Sequence, residues 1–336
     1  MKICLLGVFS NDLNEGYKNI AFNLSKQLSK NHDVCNLDVK DVFSIDFWKQ
    51  IKDFNPNVIH YLTAPTLSSF IILKLAKIFI KRDVKLVISS LHPYSLKLLN
   101  NSVLKRFVSL LKPDIILTQS IEVETILKEI GCRTNFLSNG VDTYRFHPVS
   151  IKIKEELRQQ YGIDKEKFVI LHVGHIRDIR GLKIFNRIQK KNENIQVVIV
   201  SSSYFEIDKN LYRDLLNSGC IVWNKYFENI EEIFALSDCY IFPASKGGSI
   251  FMPLSVLEAM SSNLPVFATK YEGLIENFEE GNGLVFFENE EDLLKKWTEF
   301  NRGFFRPDTR DKIMAYSWEH IGKRLGDIYD NLLSGE

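Results

Sequence analysis

Two stretches of this chain carry residue types suited to gripping a diphosphate. The first reads His172-Val173-Gly174-His175-Ile176-Arg177-Asp178-Ile179-Arg180-Gly181-Leu182, an apolar run that ends at a glycine and continues as a cation-rich loop. Arg180 keeps a permanent charge and can hold two phosphate oxygens at once. His175 becomes cationic beside an anion that raises its pKa, and Arg177 supplies a further fixed charge. The second stretch, Ile250 to Thr269, reads as a loop, a helix, a short polar turn and a buried strand. Pro253 suits the first helical position, where its missing N–H is no loss. Leu254, Leu257 and Ser261 fall on one helical row with Val256 and Met260 beside it, so one face turns inward. The unpaired N–H groups near Leu254 and Ser255, at the positive end of the dipole, make an anion seat. Glu258 falls one turn deeper, at i+4 from Leu254. Phosphate at the helix start and a carboxylate one turn in are what a sugar nucleotide's diphosphate and ribose require.

Further candidates lie at predicted strand ends. Gly16 ends the loop after the first strand and opens a helix; no G-x-G-x-x-G is present, so a dinucleotide fingerprint is not supported. His92, in Ser89-Ser90-Leu91-His92-Pro93, and His60, after Pro56-Asn57-Val58-Ile59, each follow a strand. Tyr226-Phe227-Glu228-Asn229 precedes a short helix at Ile230–Leu236, and Tyr226 and Phe227 fit core packing. The candidate crevice residues show no carboxylate clustering suited to magnesium, so no metal is expected.

These groups need a scaffold, and the chain is long enough for two. Its 336 residues exceed one ordinary core, and 45% hydrophobic with 25% charged residues describes a globular protein. Residues 1–145 hold 19 Lys and Arg against 13 Asp and Glu, while the remainder holds 24 against 29. A basic half beside an acidic half predicts different partners for the two lobes. Five scattered cysteines (Cys4, Cys35, Cys132, Cys220, Cys239) lack metal spacing and read as buried thiols in a reducing cytoplasm. The short run Ile3 to Phe9 reads as a first strand rather than a signal peptide, and no apolar stretch of about 18 residues predicts a membrane span. Ser68–Arg82 and Ser95–Lys112 combine apolar residues (Phe70, Leu73, Ile78, Ile80) with Lys74, Lys77, Lys81, Arg82, Lys97, Lys105 and Arg106. They fit either plain domain faces with snorkelling lysines or peripheral contact with an anionic membrane.

Short apolar runs alternate with helical patterns along the chain. Strands are predicted at Ile3–Val8, Val58–Leu62, Leu86–Ser89, Ile115–Thr118 and Asn135–Leu137, then at Phe168–Val173, Gln196–Val200, Cys220–Trp223, Cys239–Phe242 and Val266–Ala268. Helices are predicted between them, including Gly16–Ser29 and Ser120–Ile130. This alternation predicts two doubly wound α/β domains with parallel sheets. Asn139-Gly140-Val141-Asp142 marks a turn at the boundary, with Asn139 and Asp142 as hinge residues, and the polar helix Ile151–Tyr161 beyond it reads as a linker. Near the end, Ser317 can cap a helix running to Leu333, with Trp318 as a packing anchor.

The residues Leu257-Glu258-Ala259-Met260, Asn263-Leu264-Pro265-Val266 and Ala268-Thr269 resemble the donor-site signature of family 4 retaining glycosyltransferases. Asn139 to Pro148, NGVDTYRFHP, resembles that family's interdomain signature, and Tyr316-Ser317-Trp318-Glu319 its terminal helix. The resemblance implies GT-B architecture: two Rossmann-like domains facing a central cleft, with a C-terminal helix crossing back to the first. The domains would be an acceptor-side domain at 1–148, a donor-binding domain at 149–310 and a terminal helix at 311–336. It implies metal-independent, retaining transfer of a hexosyl-type sugar from a nucleotide sugar to a glycan, lipid-linked or other hydroxyl acceptor. No cofactor and no nucleic acid are expected, and the location would be cytoplasmic or peripheral at the membrane face. On the family pattern Arg180 and His175 touch the diphosphate, with Arg177 beside them. Glu258 holds the ribose, Leu254 and Ser255 offer N–H groups, and Tyr226 lies by the base. Gly16 brings backbone N–H groups to the diphosphate, and His92 meets the donor sugar. The family's first glutamate, which binds donor-sugar hydroxyls, falls at Ile250, and its following glycine at Pro253. Another group from Ser245–Ser249 could replace the glutamate, the donor sugar could differ, or activity could be lost. A nucleotide-sugar epimerase of the same fold and a binding-only relative are the alternative functions.

Overall fold

A computed structural model describes residues 1–10, 12–80, 83–92, 110–202, 204–245, 249–302 and 307–335. The chain forms two compact units. One comprises Met1–Gly140, Ile250–Met252 and Trp318–Glu336; the other comprises Val141–Ser249 and Pro253–Ser317.

The first unit is built on β1 (Lys2–Gly7), β2 (Asp33–Asp38), β3 (Val58–Tyr61), β4 (Lys85–Ser89), β5 (Ile115–Thr118) and β6 (Thr134–Phe136). All neighbours are parallel, in the order β2-β1-β3-β4-β5-β6. The central strands are continuous apolar runs because helices cover both faces of a parallel sheet. The described helices are α1 (Gly16–Leu28), α2 (Ile45–Phe54), α3 (Leu67–Phe79), α4 (Ile121–Glu129) and, from the far end of the chain, α13 (Trp318–Ser334). The terminal helix returns to this unit as expected and packs along α1. His60 ties it down: its Nδ1 lies 2.6 Å from the Tyr329 hydroxyl and its Nε2 lies 2.8 Å from Ser89 Oγ. Burial holds its pKa down at about 3, so the ring is a neutral strut rather than a ligand. Trp318 is buried, as its anchoring role requires.

The second unit repeats the plan with β7 (Phe168–Val173), β8 (Ile195–Ser201), β9 (Ile221–Asn224), β10 (Cys239–Phe242), β11 (Val266–Thr269) and β12 (Leu284–Phe287). These strands are also parallel, in the order β12-β11-β10-β7-β8-β9. Its helices are α5 (Ile151–Gln160), α6 (Lys183–Lys191), α7 (Lys209–Asn217), α8 (Ile230–Ala235), α9 (Leu254–Ser261), α10 (Glu272–Ile275), α11 (Glu290–Arg302) and α12 (Thr309–Ile313). Ile170, Val197, Ile199, Ile241 and Phe267 form its core with Phe185 of α6.

Several sequence expectations are corrected. The edge strand β2 is absent from the predicted set because only Leu37 in Asp33–Asp38 is buried, so no apolar run marks it. An edge strand of the second sheet, β12, is also absent, although its Leu-Val-Phe-Phe run follows a Gly281-Asn282-Gly283 turn. Cys35, on β2, is half-buried; the other four cysteines are buried. α5 is no linker. Arg158 is 6% exposed, donates to the Leu236 carbonyl at 3.0 Å and pairs with Asp238 at 2.5 Å, which fastens α5 into the second unit. Pro253 sits at the N-cap with ψ 120°, one residue outside the helix, and Leu254 takes the first helical position. On α3, Phe70 and Leu73 are buried and Ile78 is 76% exposed, while Lys77 pairs with Asp83 at 3.5 Å. Lys81, Arg82 and the predicted face residues Lys97, Lys105 and Arg106 lie outside the described residues. Among the described residues no helix is long and apolar enough to cross a membrane.

Candidate functional site

Strand order sets where a ligand can sit in the second unit. Neighbours β7 and β10 send their chains to opposite sides, β7 towards β8 and β10 towards β11, so a crevice opens beyond their carboxyl ends. The cation loop follows β7 and α9 follows β10, which places both predicted stretches at that switch point.

The loop is held as a compact turn. The Arg180 amide donates to the Arg177 carbonyl at 2.9 Å and the Ser245 amide to the Ile179 carbonyl at 3.0 Å. Gly181 ends a 3-10 turn, Asp178–Arg180, in the left-handed region at φ 69°. A Cβ there would lie 2.2 Å from the Pro243 carbonyl oxygen, so only glycine lets the loop reach the end of β10. Asp178 pairs with Lys183 at 2.6 Å. Arg180 and His175 are half-buried and Arg177 is exposed. Beneath them lies His172, fully buried, with Nδ1 2.9 Å from the Ile241 carbonyl and Nε2 without a hydrogen-bond partner. Burial pushes its pKa down to about 3, so it stays neutral and Nδ1 carries the proton. The Cβ position that Gly174 lacks lies 2.9 Å from this Nε2 and 3.5 Å from Arg180 Nη1, which puts the two side chains at one spot.

On the other side of the switch point, α9 starts without a side-chain cap, since proline has no oxygen to offer. Val256 and Leu257 donate to the Pro253 carbonyl, whereas the Leu254 and Ser255 amides have no acceptor among the described residues. Tyr240, in the middle of β10, joins the two halves. Its hydroxyl donates to Ser255 Oγ at 2.7 Å and lies 3.3 Å from the Val173 carbonyl at the end of β7. Burial raises the Tyr240 pKa; the Ser255 and Val173 hydrogen bonds and the charge of Arg180 oppose the rise, and the charge of Glu258 adds to it. Arg180 and Glu258 therefore act on one buried hydroxyl.

Glu258 is half-buried, and desolvation raises its pKa to about 7, opposed by Arg145 and reinforced by Glu231. Arg145 is held by Glu231, Nε to Oε2 at 2.7 Å, and by the Glu228 carbonyl. Asp142 organises that segment by accepting from the Tyr144 and Arg145 amides, the turn role expected of it. Tyr226 is 43% exposed on the loop after β9, while its neighbour Phe227 packs on Tyr161 and Trp223.

Gly16 and His92 belong to the first unit. Gly16 opens α1 beyond β1, and a Cβ there would meet only Ile250 Cδ1, at 3.5 Å. His92 is half-buried beyond β4. Ile250, which stands where the family's glutamate would fall, is thus packed in the first unit, with Phe251 fully buried in that unit's core. Asn139 Nδ2 donates to the Met252 carbonyl at 2.7 Å. Ser249 is fixed through the Tyr271 hydroxyl, and Lys246, Gly247 and Gly248 lie outside the described residues. Sequence reasoning missed Tyr240, His172, Arg145 and Phe205. The first two read as core inside apolar runs, and only the fold brings the others beside the loop and Glu258.

Residues 153–302 match the family model described as Glycosyl transferases group 1. The chain is 26% identical over 241 residues to an uncharacterized glycosyltransferase of Methanocaldococcus jannaschii, a match that covers 66% of this chain and 57% of that relative's length. The chain thus spans little more than half of that curated relative. Among solved structures, sucrose-phosphate synthase from Thermosynechococcus elongatus is similar with a TM-score of 0.80 at 14% identity, over all of both chains. Anabaena HepE in complex with UDP and glucose is similar with a TM-score of 0.74 at 16% identity, over 98% of this chain and 100% of that one. The architecture is GT-B, with two parallel six-stranded Rossmann-like sheets. Residues 153–302 are thus similar to the group 1 glycosyl transferases.

Proposed function

We propose that this protein transfers a sugar, with retention of anomeric configuration and without a metal, from a nucleotide-sugar donor to a hydroxyl of a glycan or lipid-linked acceptor. The observation that carries the reading is the Tyr240 hydroxyl, which joins the end of β7 to the first turn of α9 and so sets the cations and the helix start at one switch point. As the bond from the anomeric carbon to the diphosphate oxygen breaks, negative charge grows on the leaving group. Arg180, His175 and the Leu254 and Ser255 amides meet that charge already oriented, each such contact being worth roughly 2.7–4 kcal/mol. Glu258 accepts hydrogen bonds from the ribose hydroxyls, Arg177 adds charge at the rim, and Tyr226 flanks the base. Isoleucine at position 250 cannot accept a hydrogen bond from a sugar hydroxyl, which favours a donor sugar recognised differently from the family's usual one.

Because HepE was solved with UDP and glucose, uridine diphosphate sugars come first in a donor panel. Purified protein is incubated with the panel, with and without candidate acceptors. Release of nucleoside diphosphate that requires an acceptor supports the reading. Acceptor-free conversion of the sugar would instead mean an epimerase, and binding without product would mean a binding protein.

A further inference from the structure

Phe205, on the loop beyond β8, touches His175 and Arg177 at once. Its ring centroid is 5.0 Å from that of His175, with the planes at 84°, and the Arg177 guanidinium carbon lies 5.0 Å from the same centroid. Tyr204 meets Phe205 edge-to-face at 4.9 Å. Both aromatics are partly exposed, Tyr204 by 42% and Phe205 by 38%, in a loop where solvation would favour polar residues. β8 is the sheet neighbour of β7, so this loop stands directly beside the cation loop.

We infer that Phe205 is a positioning residue that aims His175 and Arg177 at the donor's diphosphate while leaving their positive charge undiminished. The inference rests on the functional reading above for the identity of the anion. A loop that must hold the Arg177 guanidinium and the His175 ring side by side needs a group that attracts both. A carboxylate would supply attraction but would also neutralise the charge that the ligand is to feel. An aromatic ring attracts cations through its quadrupole and carries no net charge, so the pair is gathered at little cost to the field in front of it. The edge-to-face geometry also restricts how the imidazole can rotate. Tyr204, stacked edge-on behind the ring, limits Phe205 in turn.

The test compares Phe205→Leu and Phe205→Tyr with the natural protein. Leucine keeps an apolar side chain but has no quadrupole; tyrosine keeps the ring. Binding of uridine diphosphate, other nucleoside diphosphates and inorganic pyrophosphate is measured by calorimetry, with thermal unfolding as a check on folding. Phe205→Leu is expected to weaken diphosphate binding about tenfold, to raise KM for the donor more than it lowers kcat, and to leave the unfolding temperature within a few degrees. Phe205→Tyr is expected to stay within about twofold of the natural protein. Unchanged affinity in Phe205→Leu, or equal losses in both variants, would overturn the positioning role. A second measurement does not depend on the ligand. The His175 ring C–H resonances, assigned with His175→Gln, should shift in Phe205→Leu as the ring current of Phe205 is lost, and unmoved resonances would overturn the contact. If the natural protein binds no diphosphate, the functional reading fails, and with it the proposed purpose of the contact, whatever the resonances show.

Discussion

The hydroxyl of Tyr240 donates to Oγ of Ser255 across 2.7 Å while lying 3.3 Å from the carbonyl of Val173. One buried group in the middle of an apolar strand thus fixes the distance between a loop that carries cations and a helix that presents free amides. The chain leaves the paired strands β7 and β10 to opposite sides, and the hydroxyl ties the two exits together beside the Ser245–Ile179 backbone bond. Tyr240→Phe removes it without opening a cavity. Unfolding in urea should show a loss of about 1 kcal/mol, the usual net worth of a buried hydrogen bond. Diphosphate affinity, measured by calorimetry, should fall by several-fold. Equal affinity in the variant would mean that the helix start is held by other contacts.

Arg180 is expected to carry more of the reaction than any other single cation. Arg180→Ala should lower kcat by about 10² or more, because a donor aimed at the leaving group is lost from a site with few substitutes. Arg180→Lys keeps the charge but not the paired donors, and should recover only part of the loss. Steady-state rates with the best donor of the panel decide this.

Gly181→Ala probes the loop's backbone. The positive φ and the close Pro243 carbonyl together forbid a side chain. The left-handed strain alone costs about 1–3 kcal/mol, and the carbonyl contact adds to it. Chemical denaturation should show that loss, and donor binding should weaken as the loop lifts from β10. A variant as stable as the natural protein would show that the turn can be rebuilt.

Donor binding should depend on pH through Glu258. Its pKa is raised to about 7 by desolvation, so near neutrality a fraction is protonated and cannot accept from both ribose hydroxyls. Binding selects the ionised form and releases a proton, hence affinity should rise between pH 6 and pH 8 by up to about tenfold per unit below the pKa. Glu258→Gln should bind more weakly and with a flat profile. Calorimetry in buffers of differing ionisation enthalpy would reveal the proton release; its absence would remove Glu258 from the ribose.

Acid should unfold the protein through two buried histidines. His60 and His172 both have pKa values lowered to about 3, against about 6.5 in the unfolded chain. Between those values the unfolded state binds protons that the folded state does not. Each histidine should therefore remove about 1.4 kcal/mol of stability per pH unit below 6.5. Glu258 works in the opposite sense over pH 4.5 to 7, because it is protonated in the folded protein and ionised in the unfolded one. The urea midpoint is accordingly followed from pH 7 to pH 5 in Glu258→Gln. A flat profile there would mean that both rings accept protons while folded, and half the expected slope that one of them does.

The sequence by itself determined the class of fold and the two stretches that hold the candidate site. Strands such as Phe168–Val173 and Cys239–Phe242 are legible because strands covered on both faces are continuous apolar runs. The cation loop and the helix start are legible because charge, glycine and proline occur at local spacings. Edge strand β2 was not, since a strand covered on one side need not be apolar along its length. Only the tertiary structure decided that Tyr240 is a bridge, that Phe205 touches both His175 and Arg177 and that Ile250 belongs with the first unit. Each of these depends on residues separated along the chain but adjacent across a sheet or between loops, and adjacency of that kind has no local signature.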